Sequence, residues 1–208
     1  MKFYILDKTL ECKNDSKELD NMLKKIDKIV ADSNLIFSHL DIDGNEVYDD
    51  YYGYLLAHMD EIKEVKVIVK TPFEIAKDTL VSTADYLNRA IPEIEKLADD
   101  FYKTPNNESW NKFNQLLEAI EWVISTFSAI DSGYDIEKTV KDYETWNLYA
   151  KDIYSLKDLM NEVEEVLNNQ DYVSIADILS YEISPLFKDM LNKLMLLVDE
   201  EETLNVIN

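Results

Sequence analysis

The stretch FEIAKDTLVSTADYLNRAIPEIEKLADDF, running from Phe73 to Phe101, decides the fold. Its apolar residues Phe73, Ala76, Leu80, Ala84, Leu87, Ile91, Ile94, Ala98 and Phe101 recur at intervals of three and four, the spacing that lines one side of a packed α-helix. A helix of roughly 30 residues and about 45 Å is predicted. Downstream, Thr104-Pro105-Asn106-Asn107 breaks the pattern, and a second seam begins at Trp110 and continues through Phe113, Leu117, Ile120, Ile124 and Phe127. Leu116, Val123 and Ile130 widen that seam into a broadly buried face. Asp131-Ser132-Gly133 supplies a stop before a third helix, from about Asp135 to Asn168, with Trp146, Ile153, Met160, Val163 and Leu167 on its apolar side. After Asn168-Asn169-Gln170-Asp171 a fourth segment carries Ile175, Leu179, Leu186, Met190, Leu194 and Leu197 to about Asp199. Short connections place consecutive helices antiparallel, so residues 72–200 read as an up-down-up-down four-helix bundle. Residues 201–208 read as a flexible tail, because Glu200-Glu201-Glu202 opposes the helix dipole.

Upstream the period changes. In residues 2–12, Tyr4, Leu6, Leu10 and Cys12 fall on alternate positions, a strand signal that is interrupted near Asp7-Lys8 where a ribbon turns. Asp15 and Glu18 make a capping pair ahead of a helical stripe of Leu19, Met22, Leu23, Ile26, Ile29 and Val30. Leu35 to Ile42 is strand-like and meets Asp43-Gly44, a pair suited to the positive φ angles of a hairpin, before Glu46, Val47 and Tyr48. A short helix from about Asp49 to Ile62 follows, and then Val65, Val67 and Val69 alternate with lysines in a last strand ending at Thr71-Pro72.

That order of ribbon, helix, hairpin, short helix and strand over residues 1–71 resembles the ubiquitin-like β-grasp layout. The run Leu35-Ile36-Phe37 leading to Asp43-Gly44 looks like the corresponding stretch of ubiquitin. A ferredoxin-like βαββαβ order has the same apolar pattern once the first turn is dropped, so both layouts stay open. Ubiquitin-like modifiers end in a glycine pair, whereas this segment runs Lys70-Thr71-Pro72 into a helix, so the resemblance does not imply conjugation. The fold class read from the sequence is α+β, with a small β-grasp-like domain followed by a helical bundle.

Composition limits the partners. The 208 residues include 43 acidic and 21 basic side chains, for a formal charge of -22, which repels nucleic acids and anionic membranes. Arg89 is the only arginine, which argues further against phosphate recognition. Cys12 is the only cysteine, so neither an internal disulfide nor a thiolate cluster can form within one chain. The opening apolar run is cut by Asp7 and Lys8, and no segment reaches the roughly 20 apolar residues of a membrane span. Cytoplasm is the expected location.

Motifs of common enzymes are missing. Glycine occurs only at Gly44, Gly53 and Gly133, too few for a P-loop, a dinucleotide fingerprint or a nucleophile elbow. Asp41, Asp43 and Asn45 have the first spacings of a calcium loop, but Glu46 and Tyr52 stand where glycine and glutamate are required, so a hairpin turn explains them. The histidines, His39 and His58, belong to no Glu-x-x-His pair of a di-iron bundle. No catalytic residue, metal ligand or cofactor-binding residue is assigned, no cofactor is expected, and the reading leans against an enzyme.

Four positions stand out as interaction or bend sites. Trp122 lies off the main seam of its helix, beside Ala119, Thr126 and Ala129, where it covers the N-terminal region or marks a partner surface. Glu182 falls near the apolar line of the fourth segment, three residues before Pro185. Pro92 and Pro185 each interrupt a helical ladder, and counting along antiparallel helices sets them at comparable heights, a shared waist where the bundle bends. The expected function is that of a cytosolic adaptor, chaperone or regulator that binds another protein. The alternatives are an enzyme or small-ligand-binding protein with its site at the junction of the two regions, and an acidic nucleic-acid mimic.

Overall fold

A computed structural model describes residues 1–133 and 136–198, and the chain divides into two compact units, Met1–Ile75 and Ala76–Asn208. Each has its own apolar core. The predicted tail at residues 201–208 lies outside the described residues.

The first unit contains strands β1 (Lys2–Ile5) and β2 (Lys8–Glu11), helix α1 (Ser16–Ala31), strands β3 (Ile36–Ile42) and β4 (Asn45–Val47), helix α2 (Tyr51–Ala57) and strand β5 (Glu64–Lys70). The sheet order is β2-β1-β5-β3-β4, with β1 parallel to β5 and every other pairing antiparallel. This is the β-grasp order, and the parallel central pair excludes the ferredoxin-like alternative. Asp15 starts α1 by accepting the N–H groups of Lys17 and Glu18 at 2.9 and 3.2 Å. Its stripe of Leu19, Met22 and Ile26 closes over Phe3, Ile5, Leu40, Ile42, Val65 and Val67.

The first strand corrects the sequence reading in its phase. Phe3 and Ile5 are buried while Leu6 is exposed. Pairing of Ile5 with Lys8 makes Leu6-Asp7 the two-residue turn, and Leu6 takes φ +52° there. A strand apolar on both faces has no readable phase, so the turn decides which side faces in.

At the β3–β4 hairpin both central residues have positive φ, Asp43 at +49° and Gly44 at +88°, the mirror-image turn that matches strand twist. The Gly44 N–H donates to Asp41 Oδ1 at 2.8 Å, and the Asp43 carboxylate accepts from the N–H groups of Lys63 and Glu64, the latter at 2.9 Å. Those aspartates are therefore bound into the hairpin and the start of β5.

Helix α3 spans Pro72–Phe101 as one helix through Pro92. Thr71 and Glu74 cap it reciprocally: the Thr71 N–H and hydroxyl donate to Glu74 Oε2, and the Glu74 N–H donates to Thr71 Oγ1, with Pro72 at the first position where its missing N–H costs nothing. Helix α4 is Asn107–Gly133, α5 is Ile136–Thr139 and α6 is Tyr143–Asn168. The third long helix thus begins later than the expected Asp135. Asp142 is its cap, accepting from the Glu144 N–H and from the Thr145 hydroxyl at 2.6 Å. The fourth segment is composite: α7 (Tyr172–Asp177), a π-helical turn (Ile178–Ile183) and α8 (Ser184–Leu197).

Within this second unit the four long segments form a closed ring. Phe101 packs on Trp110 and Phe113 across α3 and α4, and Phe127 stacks on Trp146 across α4 and α6. Asp152 pairs with Lys193 across α6 and α8. Glu95 takes Ser184 and Lys188 across α3 and α8. No helix among the described residues is long and apolar enough to cross a membrane.

Candidate functional site

The backbones of α6 and α8 approach closely, whereas those of α3 and α4 stay farther apart. Bulky rings set that spacing: Phe101 against Trp110 at one end and Tyr86 against Trp122 farther along, with centroids 5.0 and 6.1 Å apart. Small residues at Ser82, Ala90 and Ala119 fill little of the space between. A groove results.

One stretch of the groove, about 310 Å³, has a floor of buried Ile94, Leu97 and Leu116, with exposed Arg89, Glu93, Lys112 and Gln115 along its edges. The adjoining stretch, about 500 Å³, is bounded by Ser82, Asp85, Tyr86, Arg89, Ala119 and Trp122. Tyr86 and Arg89 belong to both. From Ser82 to Leu97 the α3 side runs about 22 Å at 1.5 Å per residue, or roughly four helical turns.

The edge charges are locally paired. Arg89 donates through Nε and Nη2 to Asp85 Oδ2 at 3.1 and 2.7 Å, Lys112 reaches Glu108 at 3.2 Å, and Lys96 reaches Glu93 at 2.7 Å. Burial pushes the Tyr86 hydroxyl above its usual pKa, so it stays a neutral donor. This chemistry offers an apolar floor, two rings and hydrogen-bonding edges. It can receive the apolar side chains of a partner and orient its polar ones.

The residues singled out from the sequence fall in different places. Trp122 stands at the groove, 41% exposed, with its ring edge against Tyr86. Glu182 is exposed on the π-helical turn. Pro92 and Pro185 are both exposed, and Glu95, within a turn of Pro92, accepts from Ser184 Oγ at 3.2 Å and Lys188 Nζ at 2.6 Å on either side of Pro185. The two prolines therefore lie at neighbouring levels of the ring. The helical irregularity belongs to Pro185 alone: just before it, the Ser184 N–H donates to the Leu179 carbonyl five residues back. A proline ring crowds the carbonyl four residues earlier and offers it no N–H, and a wider turn relieves both. His39 stacks on Tyr48 and His58 on Tyr54, each at 4.5 Å.

Two features escaped sequence reading. Tyr86 falls outside the three-four seam of its helix, and nothing in its spacing says that the facing helix stands off. The second is a tyrosine-aspartate cluster in which the Tyr102 hydroxyl donates to Asp177 Oδ1 at 2.5 Å. Those residues are 75 apart in the chain, and no local pattern joins them.

Residues 78–193 match the family model described as a domain of unknown function, DUF8042, and residues 1–71 match the model described as the TP0873 N-terminal domain. No curated protein and no solved structure gives a significant match.

Proposed function

The chain belongs to the DUF8042 family, and on that premise we propose that it is a cytoplasmic protein-binding adaptor, chaperone or regulator without catalytic activity, holding an amphipathic helix of its partner in the α3–α4 groove. The observation that carries this reading is the pairing of exposed Trp122 and half-buried Tyr86 above the floor of Ile94, Leu97 and Leu116. Tryptophan and tyrosine are favoured anchors at interfaces because they bury much area at little entropic cost. About four turns of groove suit a helix that presents apolar residues at intervals of three and four.

The first unit supports the same role. Its β2-β1-β5-β3-β4 order resembles the ubiquitin-like β-grasp layout, read here as a binding module and not as a modifier, since Lys70-Thr71-Pro72 stands where the glycine pair would be.

The test is a photo-crosslinking residue placed at Gln115 in the native cell. One recurrent protein should be captured there, lost when Trp122→Ala is added, and absent when the crosslinker sits at exposed Glu164. No capture at Gln115, or equal capture at Glu164, would refute the reading.

A further inference from the structure

Away from the groove, α7 and the π-helical turn present Val173, Asp177 and Tyr181 on one exposed line at intervals of four. Val173 is 55% exposed and Tyr181 is 72% exposed. Tyr102, at the end of α3 and 39% exposed, lies beside this line, with its hydroxyl donating to Asp177 Oδ1. Asp177 Oδ2 accepts no hydrogen bond among the described residues, and no basic side chain there pairs with this carboxylate. A carboxylate that one exposed tyrosine bonds and that a second, Tyr181, follows four residues on is thus left open in a unit whose sequence holds 27 acidic against 11 basic residues.

We propose that this surface docks a lysine- or arginine-bearing segment of a protein partner, with one cationic head on Asp177 and its aliphatic stem against the rings of Tyr102 and Tyr181. Charge complementarity fixes the occupant. An anionic partner meets an unpaired carboxylate within a negative field, whereas a cation gains both the carboxylate and the negative faces of the rings. The long stem of lysine or arginine also covers ring surface that an inorganic cation leaves wet. The Ser184 to Leu179 hydrogen bond holds the turn that carries Tyr181, so the surface is presented from an ordered element. The site is distinct from the α3–α4 groove and stands or falls without it.

The test uses the full chain and a fluorescein-labelled 16-residue peptide of alternating lysine and alanine, followed by anisotropy at low and physiological salt. Asp177→Asn and Tyr181→Ala should each weaken binding about five-fold, and both positions are exposed, so melting should be unchanged. Tyr102→Phe keeps the ring and should weaken binding less. Glu164→Gln, an exposed acid elsewhere, and Trp122→Ala should leave affinity unaltered, and a glutamate-alanine peptide should not bind. Parent-like binding by both Asp177→Asn and Tyr181→Ala overturns the proposal. So does an equal loss with Glu164→Gln, which would mean diffuse attraction to an acidic surface.

Discussion

Lys193 shows how a single residue can hold two helices in register. Its Nζ lies 2.6 Å from Asp152 Oδ2 on α6 and 2.7 Å from Asp189 Oδ2 one turn back on α8, and both Lys193 and Asp152 are largely buried. Burial pushes the Asp152 carboxyl above its usual pKa, beyond what Lys193 pulls back. Burial also pulls the lysine down, but the two carboxylates outweigh it and leave the ammonium above its ordinary value. The pair therefore sits in a site that penalises charge and is tolerated because each partner answers the other. Lys193→Met should cost ~3–5 kcal/mol by stranding Asp152, and adding Asp152→Leu should recover most of that loss. Urea midpoints of the parent, the single and the double variant decide it. A double variant no more stable than the single would mean that packing, and not the buried charge, sets the cost. For the lysine the sign with pH is plain: a raised folded pKa means its contribution is complete below the unfolded value and is lost as pH rises through the folded one.

At the scale of elements, the sequence was most readable where one local rule decides the outcome. The three-four spacing of α3 and the Asp43-Gly44 turn each contain their whole explanation within a few residues. The start of α6, the π-helical turn and the inward face of β1 do not. The first waits on Asp142 capping through Thr145, the second on how the chain relieves Pro185, and the third on a turn at Leu6 that the apolar pattern leaves undecided. The groove was harder still, because it depends on the distance between helices and not on the face of either. The hairpin also carries a pH signature. The backbone N–H groups of Glu64 and Lys63 hold the Asp43 carboxyl below its ordinary pKa, so its contribution is present above the unfolded value of about 3.9 and is lost as pH falls through the lowered folded value. Asp43→Asn tolerates the positive φ but carries no charge. Hydrogen exchange of the β5 amides should therefore show parent and variant differing at pH 6 and converging toward pH 2.5. A constant difference across that range would show that the carboxylate's charge is not what ties the hairpin to β5.

At the scale of the whole molecule, two cores share one chain but not one charge density. Residues 1–75 contain 10 basic and 16 acidic side chains, against 11 and 27 in residues 76–208. Even if every basic residue of the helical unit found an acidic partner, more than half its carboxylates would remain unmatched. Self-repulsion should then outweigh the exposed pairs of Lys96 with Glu93 and Lys112 with Glu108, since such pairs contribute at most ~1 kcal/mol each. Salt shortens the reach of that repulsion from about 30 Å at 0.01 M to about 3 Å at 1 M. The three tryptophans, Trp110, Trp122 and Trp146, all lie in the helical unit, so their fluorescence follows its unfolding, while amide protection of the strands follows the sheet. Added sodium chloride should raise the tryptophan transition by roughly 2–4 °C, the shift that ~1 kcal/mol produces in a domain of this size, and should raise the sheet transition by less. Equal shifts in the two signals would show that the acidic residues are already neutralised locally and that the excess charge serves solubility without a cost in stability.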